Sequence, residues 1–269
     1  MLGSIIGDIV GSIYEFDNIK TKEFPFFNDI KEYTDDSILT IATAEWLLDG
    51  CEKSAGTYYL RYAQTYPYPM GAYGTGFSSW VARASRGEVA PYDSCGNGSA
   101  MRVGPVGWAF DTEAEVLDAA RRSAEVTHNH PEGIKGAQAT ALCVFMARTG
   151  TTKKQIRERV TELFGYDLHF SCDDIRSTYG WGATCQDTVP QAIVAFLDGT
   201  DFEDCVRNAI SIGGDSDTLG CITGSIAEAF YPIDGKVAHE ALRRLPQPLK
   251  QVVQDFETRF GHNRLSNQR

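Results

Sequence analysis

Thr34-Asp35-Asp36-Ser37-Ile38-Leu39-Thr40-Ile41-Ala42-Thr43-Ala44-Glu45-Trp46-Leu47-Leu48-Asp49-Gly50 carries a structural message and a chemical one. From Asp36 onward, Ile38, Ile41, Ala42, Trp46 and Leu47/Leu48 fall mainly along one stripe of a helix that Gly50 ends. Helical segments of the same kind recur near 54–66, 76–86, 113–126, 133–149, 152–164, 187–198, 202–212, 217–230, 235–243 and 248–260. Pro131, Pro190, Pro232 and Pro246 are expected at their edges, where a missing N–H costs least. No Asn-Gly or Asp-Gly lies between two alternating strands, so no β-hairpin is expected. Many short helices with brief loops predict an all-α fold, a compact orthogonal multi-helix bundle rather than a four-helix rod. No internal repeat, low-complexity tract or clear linker interrupts it. Residues 1–269 therefore read as one domain, with an excursion around 165–182.

Composition bounds the function. The chain has 269 residues, 42% of them hydrophobic and 23% charged, enough to bury a large core. No 18-residue apolar run is present, so no membrane span is expected. Met1-Leu2-Gly3-Ser4-Ile5-Ile6-Gly7-Asp8 lacks the basic start of a signal peptide, and Asp8 interrupts its apolar run early. Seven scattered cysteines without a C-x-x-C pair read as reduced thiols of a cytoplasmic protein, with Cys143, Cys205 and Cys221 in apolar helical patterns. A net charge of −11 argues against a broad nucleic-acid surface, although contact at one end of a nucleic acid is left open. The oligomeric state is not legible.

The chemical message is the opening Thr34-Asp35-Asp36-Ser37, which has a counterpart in Gly213-Gly214-Asp215-Ser216-Asp217-Thr218. One carboxylate at a helix start is ordinarily worth about 1 kcal/mol of capping. A cap needs one residue, however, and here each helix start carries two aspartates and a threonine. Their repulsion is relieved only in part by the helix dipole, at ~0.3–1 kcal/mol per charge. Facing each other, the clusters would form an all-oxygen pocket that stays ionised at neutral pH only with cations. Such oxygens select Mg²⁺ or Mn²⁺, with Ca²⁺ also admitted, over zinc. A two-metal site is the expectation and capping the alternative. Gly213-Gly214 would let the backbone turn sharply ahead of the second cluster, and Gly220 and Gly224 would keep the next helix thin on one side. No closing glutamate of an EF-hand follows.

In the N-terminal segment, Gly3, Gly7 and Gly11 recur every four residues, leaving one helix face bare for a close neighbour. Each glycine costs roughly 1 kcal/mol of helix propensity, so packing or a ligand must offset it. Glu15 follows as a lone carboxylate among apolar residues. It is either a solvated loop residue or a group beside the metals.

The ordered set of motifs resembles the ADP-ribosylglycohydrolases, the group that includes the dinitrogenase reductase-activating glycohydrolase. The matching residues run nearly end to end: Gly7-Asp8-Ile9-Val10-Gly11-Ser12 with Glu15, Tyr33-Thr34-Asp35-Asp36-Ser37, Gly96-Asn97-Gly98-Ser99-Ala100-Met101-Arg102, Thr127-His128, Val189-Pro190 and Gly213 to Thr218. The resemblance implies an all-α fold with two Mg²⁺ (or Mn²⁺) ions in a cleft. It also implies hydrolysis of the bond joining ADP-ribose to an acceptor. Carried over, Thr34, Asp35, Asp36, Asp215, Asp217 and Thr218 are the metal ligands, and Glu15, Asp35 and Asp36 the catalytic carboxylates. Ser94, Gly96, Asn97, Gly98 and Ser99, helped by His128, match the loop that holds the distal ribose and diphosphate. Tyr73-Gly74-Thr75-Gly76 looks like a second phosphate loop through Gly74 and Gly76. Cys95 stands where some relatives place an aromatic residue, so adenine contacts do not transfer. Tyr92 or Phe77 either stacks there or belongs to the core. Asp93 is either a substrate contact or a turn residue.

A ribose diol chelates hard cations well, and a water activated by them would attack the anomeric carbon. A nearby carboxylate would stabilise the oxocarbenium-like transition state, with Glu15 in that role or as the acid for the leaving group. Other all-α readings fit less well. Asp35-Asp36-Ser37-Ile38-Leu39 lacks the third carboxylate of a D-D-x-x-D diphosphate site, and none of the histidines at 128, 130, 169, 239 and 262 precedes an aspartate. His128-Asn129-His130 is a poor zinc set. The non-enzyme alternative is an ADP-ribose-binding or structural protein on the same scaffold without turnover. The acceptor is not legible. Lys20 to Phe27, polar then aromatic, forms either a lid over the cleft or a packed loop.

Overall fold

The computed structural model describes residues 1–261 of the chain, so His262 and the residues after it lie outside the description. Its helices in order are α1 Leu2–Gly11, α2 Asp35–Leu48, α3 Ala55–Thr65, α4 Thr75–Ala84, α5 Gly98–Met101, α6 Val106–Ala109, α7 Glu113–Glu125 and α8 Pro131–Arg148. There follow α9 Lys153–Phe164, α10 Cys172–Ile175, α11 Cys185–Asp198, α12 Phe202–Ser211, α13 Ser216–Phe230, α14 Gly235–Arg244 and α15 Gln247–Phe260. The only strand-like pairings among the described residues are single bridges, Thr34 with Met70 and Gly96 with Thr184. None of the described helices is long and apolar enough to cross a membrane.

Each long segment expected from periodicity is a helix. The four-residue helices α5, α6 and α10 were not expected, being too short to show a period. Side-chain caps start many of the long ones: Thr34 on α2, Ser54 on α3, Thr152 on α9 and Asp201 on α12 accept N–H groups of the first turn. Pro131 opens α8 as expected. Pro190 does not lie at an edge: α11 begins at Cys185, which puts the proline inside the helix. The carbonyl it leaves unpaired belongs to exposed Gln186, which water can satisfy.

The pairing that organises the molecule is α1 against α13, antiparallel and nearly backbone to backbone. A Cβ built on Gly7 would stand 1.9 Å from the carbonyl oxygen of Gly220, one on Gly3 2.2 Å from that of Gly224, and one on Gly11 2.5 Å from that of Ser216. The bare face predicted for the N-terminal helix therefore meets a second bare face. Because the helices run in opposite directions, the C-terminal end of α1, which leads to Glu15, arrives at the N-terminal end of α13, where Asp215 and Asp217 stand. Around this pair the core closes with fully buried Trp46, Tyr59, Trp80, Phe196 and Phe256. All seven cysteines are free, and Cys143, Cys205 and Cys221 are buried in that core.

The Lys20–Phe27 segment is a packed loop and not a lid. Phe24 packs edge-on against Tyr14 at 5.3 Å, and Arg207 donates to the carbonyls of Lys22 and Phe24 at 2.8 Å each. Fully buried Lys31 donates to the carbonyls of Pro25 at 2.9 Å and Phe26 at 3.2 Å.

Candidate metal and substrate cleft

Asp8, on the inner face of α1, is fully buried and is a hub for the first acidic cluster. Its carboxylate accepts the Thr34 N–H at 3.0 Å, the Thr34 hydroxyl at 2.7 Å, the Ser37 N–H at 3.0 Å and the Ser37 hydroxyl. Thr34 itself caps α2 by accepting the Asp36 N–H at 3.2 Å. Capping is thus assigned to the threonine, which leaves the carboxylates of Asp35 and Asp36 free of that duty.

The second cluster is presented differently. Gly213 and Gly214 have φ of +73° and +81°, left-handed values that a side chain would strain. Asn18 clasps this turn, donating to the Gly214 carbonyl at 2.8 Å and accepting the Gly214 N–H at 2.7 Å. Asp215 occupies the N-cap position of α13 without a side-chain capping bond. Its carboxylate instead accepts from the Asn97 amide at 2.8 Å. The Thr218 hydroxyl reaches across to Asp36 at 3.4 Å, joining the two clusters.

The carboxylates therefore converge. Glu15, Asp215 and Asp217 each offer an oxygen within 4.8 Å of the others. Burial, then the charges of Asp8 and Asp215, hold Asp35 well above the usual carboxylate range. Burial and the neighbouring aspartates do the same to Asp36 and to Asp217. Glu15, half-buried, is pushed up to about 8 by burial, Asp215 and Asp8. Asp8 rises to about 6 by burial, against the pull of its Ser37 and Thr34 hydrogen bonds. A hard divalent cation fits this donor set. The donors are hard carboxyl oxygens that a cation would hold ionised, and Asp36 Oδ1 is buried with no hydrogen-bond partner.

Both clusters open into one cleft of about 590 Å³. Glu15, Asp35, Asp36, Asp215, Asp217 and Thr218 line it, as do Gly74, Gly76, Ser94, Gly96, Asn97, Gly98 and His128. Gly74 and Gly76 sit at the start of α4, whose first N–H groups have no partner within the helix. Thr34 lies behind the lining, with its hydroxyl donated to Asp8. Ser99 is a correction to the expected substrate loop. It is fully buried, and its hydroxyl points into the protein, donating to the Gly133 carbonyl at 2.7 Å, because α5 turns that face toward α8. Asp93 does not line the cleft. Its φ of +54° and the bond from its N–H to Asn129 at 2.8 Å make it a turn residue. Cys95 is not among the lining residues, whereas Tyr92 and Phe77 are, Phe77 also stacking on Trp80 at 5.6 Å.

Several lining or supporting residues had no role assigned from the sequence, although Asp8 and Arg102 stand within its matching motifs. Asp8 and Asn18 act through partners distant in the chain. Arg102 lies fully buried at the cleft wall. Phe16 and Trp181, 74% and 54% exposed, stack on each other at 5.6 Å at the rim. A single tryptophan between Gly180 and Gly182 was the one local signal for that pair.

Comparison with known proteins agrees with this geometry. A family model described as ADP-ribosylglycohydrolase matches residues 1–266. The chain is similar to ADP-ribosylhydrolase ARH3 of Homo sapiens, 26% identical over 330 residues that cover 96% of this chain and 88% of that protein. It is 31% identical over 155 residues to the ADP-ribosyl-dinitrogen reductase glycohydrolase of Rhodospirillum rubrum, covering 54% of this chain and 50% of the other. A solved structure titled "ADP-ribosylglycohydrolase-related protein complex" has the same fold, with a TM-score of 0.69 over 96% of each chain at 24% identity.

Proposed function

This chain belongs to the ADP-ribosylglycohydrolase family and is an ADP-ribosyl hydrolase, and from that premise we propose a metal-dependent cleavage of the glycosidic bond between ADP-ribose and an acceptor. One observation carries the reading: the carboxylates of both clusters and both glycine loops line the same cleft. We assign two Mg²⁺ ions (or Mn²⁺) as cofactors, held by Thr34, Asp35 and Asp36 on one side and Asp215, Asp217 and Thr218 on the other. When bound, they supply positive charge for the ribose diol and for activating water.

The residues of the chain do the rest. Asn97 fixes Asp215 through its amide, and Asp8 fixes the start of α2, so the ligand oxygens are held by structure rather than by the ligand. The loops of Gly74–Gly76 and Gly96–Gly98 allow backbone to approach a diphosphate. Glu15, half-buried beside Asp215, is assigned to give a proton to the leaving group. As the bond from the anomeric carbon to the acceptor breaks, its electron pair leaves with the acceptor, which takes that proton. The resulting carboxylate then faces the positive charge on the ribose ring. The oxygen of a water bonds to the anomeric carbon, and its proton passes to the carboxylate cluster. Acceptor choice is assigned to the rim, where Phe16 and Trp181 stand.

Isothermal titration of ADP-ribose with Mg²⁺, then with excess chelator, tests the reading, repeated on Asp36→Ala and Asp217→Ala. Metal-dependent binding that both substitutions abolish is the expected result. Binding that ignores metal would instead point to a binding or structural protein without turnover. No binding at all would sink the ligand assignment.

A further inference from the structure

Behind the Gly96–Gly98 loop, three polar side chains form a chain of hydrogen bonds with a fixed direction. Arg102 is fully buried with its guanidinium 4.0 Å over the Tyr59 ring. Its Nη2 donates to the Ser123 carbonyl at 3.0 Å and to Thr127 Oγ1 at 2.8 Å. Its Nε and Nη1 are buried without a partner, and no carboxylate contacts it among the described residues. Thr127 Oγ1 lies 2.7 Å from His128 Nδ1.

A guanidinium can only donate, so the Thr127 oxygen accepts from Arg102 and keeps one proton to give. Two acceptors are in reach, His128 Nδ1 at 2.7 Å and the Ala124 carbonyl at 3.5 Å. The shorter contact takes the proton, since a hydrogen bond at 3.5 Å retains little strength. Nδ1 is then an acceptor, and the ring proton sits on Nε2. Nε2 has no hydrogen-bond partner among the described residues. It stands 3.5 Å and 3.2 Å from where a Cβ on Gly96 or Gly98 would be, on a ring that lines the cleft. Burial and the Arg102 charge hold the imidazolium form well below its usual range, so the ring is neutral.

We propose that Arg102 and Thr127 are positioning residues that lock His128 as its neutral Nε2–H tautomer, a fixed donor to a phosphate oxygen of the ligand. The phosphate part rests on the ADP-ribose reading above; the lock does not. The uncompensated guanidinium adds positive potential behind the loop, opposite in sign to the carboxylate cluster. A ligand with a diol at one end and a diphosphate at the other matches that polarity.

Nitrogen NMR of the imidazoles in the full-length labelled protein tests the lock, with His128→Gln identifying the signal. The expected spectrum has an unprotonated Nδ1 and a protonated Nε2 that persist from mildly acidic to mildly basic pH. Thr127→Val should let the tautomers mix and weaken ADP-ribose binding about tenfold with Mg²⁺ present, the cost of one hydrogen bond. Thr127→Ser should restore both. A wild-type His128 protonated on Nδ1 would overturn the lock, as would a Thr127→Val protein with unchanged tautomer and affinity. Should Thr127→Val fail to fold, the wild-type spectrum decides by itself. Wild-type protein with the expected tautomer but no ADP-ribose binding would overturn the ligand assignment and leave the lock standing.

Discussion

Asp8 shows how much one buried side chain can organise. Two N–H groups and two hydroxyls, from Thr34 and Ser37, point at its carboxylate, so the start of α2 is oriented from α1. Asn in its place would turn an NH₂ group toward donors and leave at least one of them unpaired in the core. Asp8→Asn should lower stability by about 2–3 kcal/mol, the range for hydrogen bonds to a charged group. It should also weaken Mg²⁺ binding, which denaturant melts and metal titration would read. Were stability and affinity both unchanged, Asp8 would not be orienting the cluster. Glu15 is a different case, since it lines the cleft and carries no structural hydrogen bond through its carboxylate among those described. Glu15→Gln removes the transferable proton at nearly constant shape. Turnover should fall by about 10²-fold or more with KM little changed, and the limb of the pH–rate profile that reports this group should vanish. A variant that kept the wild-type profile would remove Glu15 from the chemistry.

The antiparallel contact of α1 with α13 brings Glu15 to Asp215 and Asp217, and it depends on glycines facing glycines. A methyl on Gly7 would lie 1.9 Å from the Gly220 carbonyl oxygen, and neither backbone can yield without moving its helix. Gly7→Ala should cost about 3 kcal/mol, the upper end of typical overpacking. In any folded fraction it should also weaken metal binding, because the two carboxylate-bearing ends would separate. Gly56→Ala in α3 is the control. Its added methyl meets neighbours at an ordinary 3.5 Å, so thermal melts should show a gain of about 0.5–1 kcal/mol. Equal losses at both sites would mean that close approach is not the cause. At this scale the sequence was informative where the pattern was local. Stripes such as Ile38, Ile41, Ala42 and Trp46, the Gly3/Gly7/Gly11 spacing and the two aspartate pairs all follow from neighbours a few residues apart. It was silent where the partner is remote: Asp8 and Arg102 stood inside matching motifs with no role attached, and Asn18 carried no signal at all. Ser99 shows the reverse error. It lies inside a recognisable motif, but the short helix α5 aims its hydroxyl at Gly133, and no local spacing reveals which way a single turn faces.

Across the whole molecule, a net charge of −11 is spread unevenly, with several carboxylates crowded at one site inside the fold. Without cations, folding there favours protonated carboxyls. Asp8 is raised from 3.8 to about 6, Glu15 from 4.5 to about 8, and Asp35, Asp36 and Asp217 lie well above their usual range. The folded protein therefore binds more protons than the unfolded chain between the ordinary carboxylate pKa and these raised values. Stability then falls as pH rises through that window, and the contribution of these groups is complete only below pH about 4. This trend is opposite to that of salt-bridged carboxylates such as Glu240, which Arg243 and Arg244 hold at about 2 and whose contribution is lost only in stronger acid. Cations reverse the penalty by binding the ionised form, so metal loading and pH are coupled. In excess chelator, the melting temperature should decline from about pH 6 to about pH 8, after allowance for the trend of an Asp36→Ala/Asp217→Ala double variant. Saturating Mg²⁺ should raise it least at the acid end and most at the basic end, flattening the curve. Calorimetric titration at the same pH values should show protons released on Mg²⁺ binding, more of them at the acid end. A chelated protein whose stability rises with pH over this range, or a Mg²⁺ effect independent of pH, would mean that the cluster is already ionised and compensated within the fold.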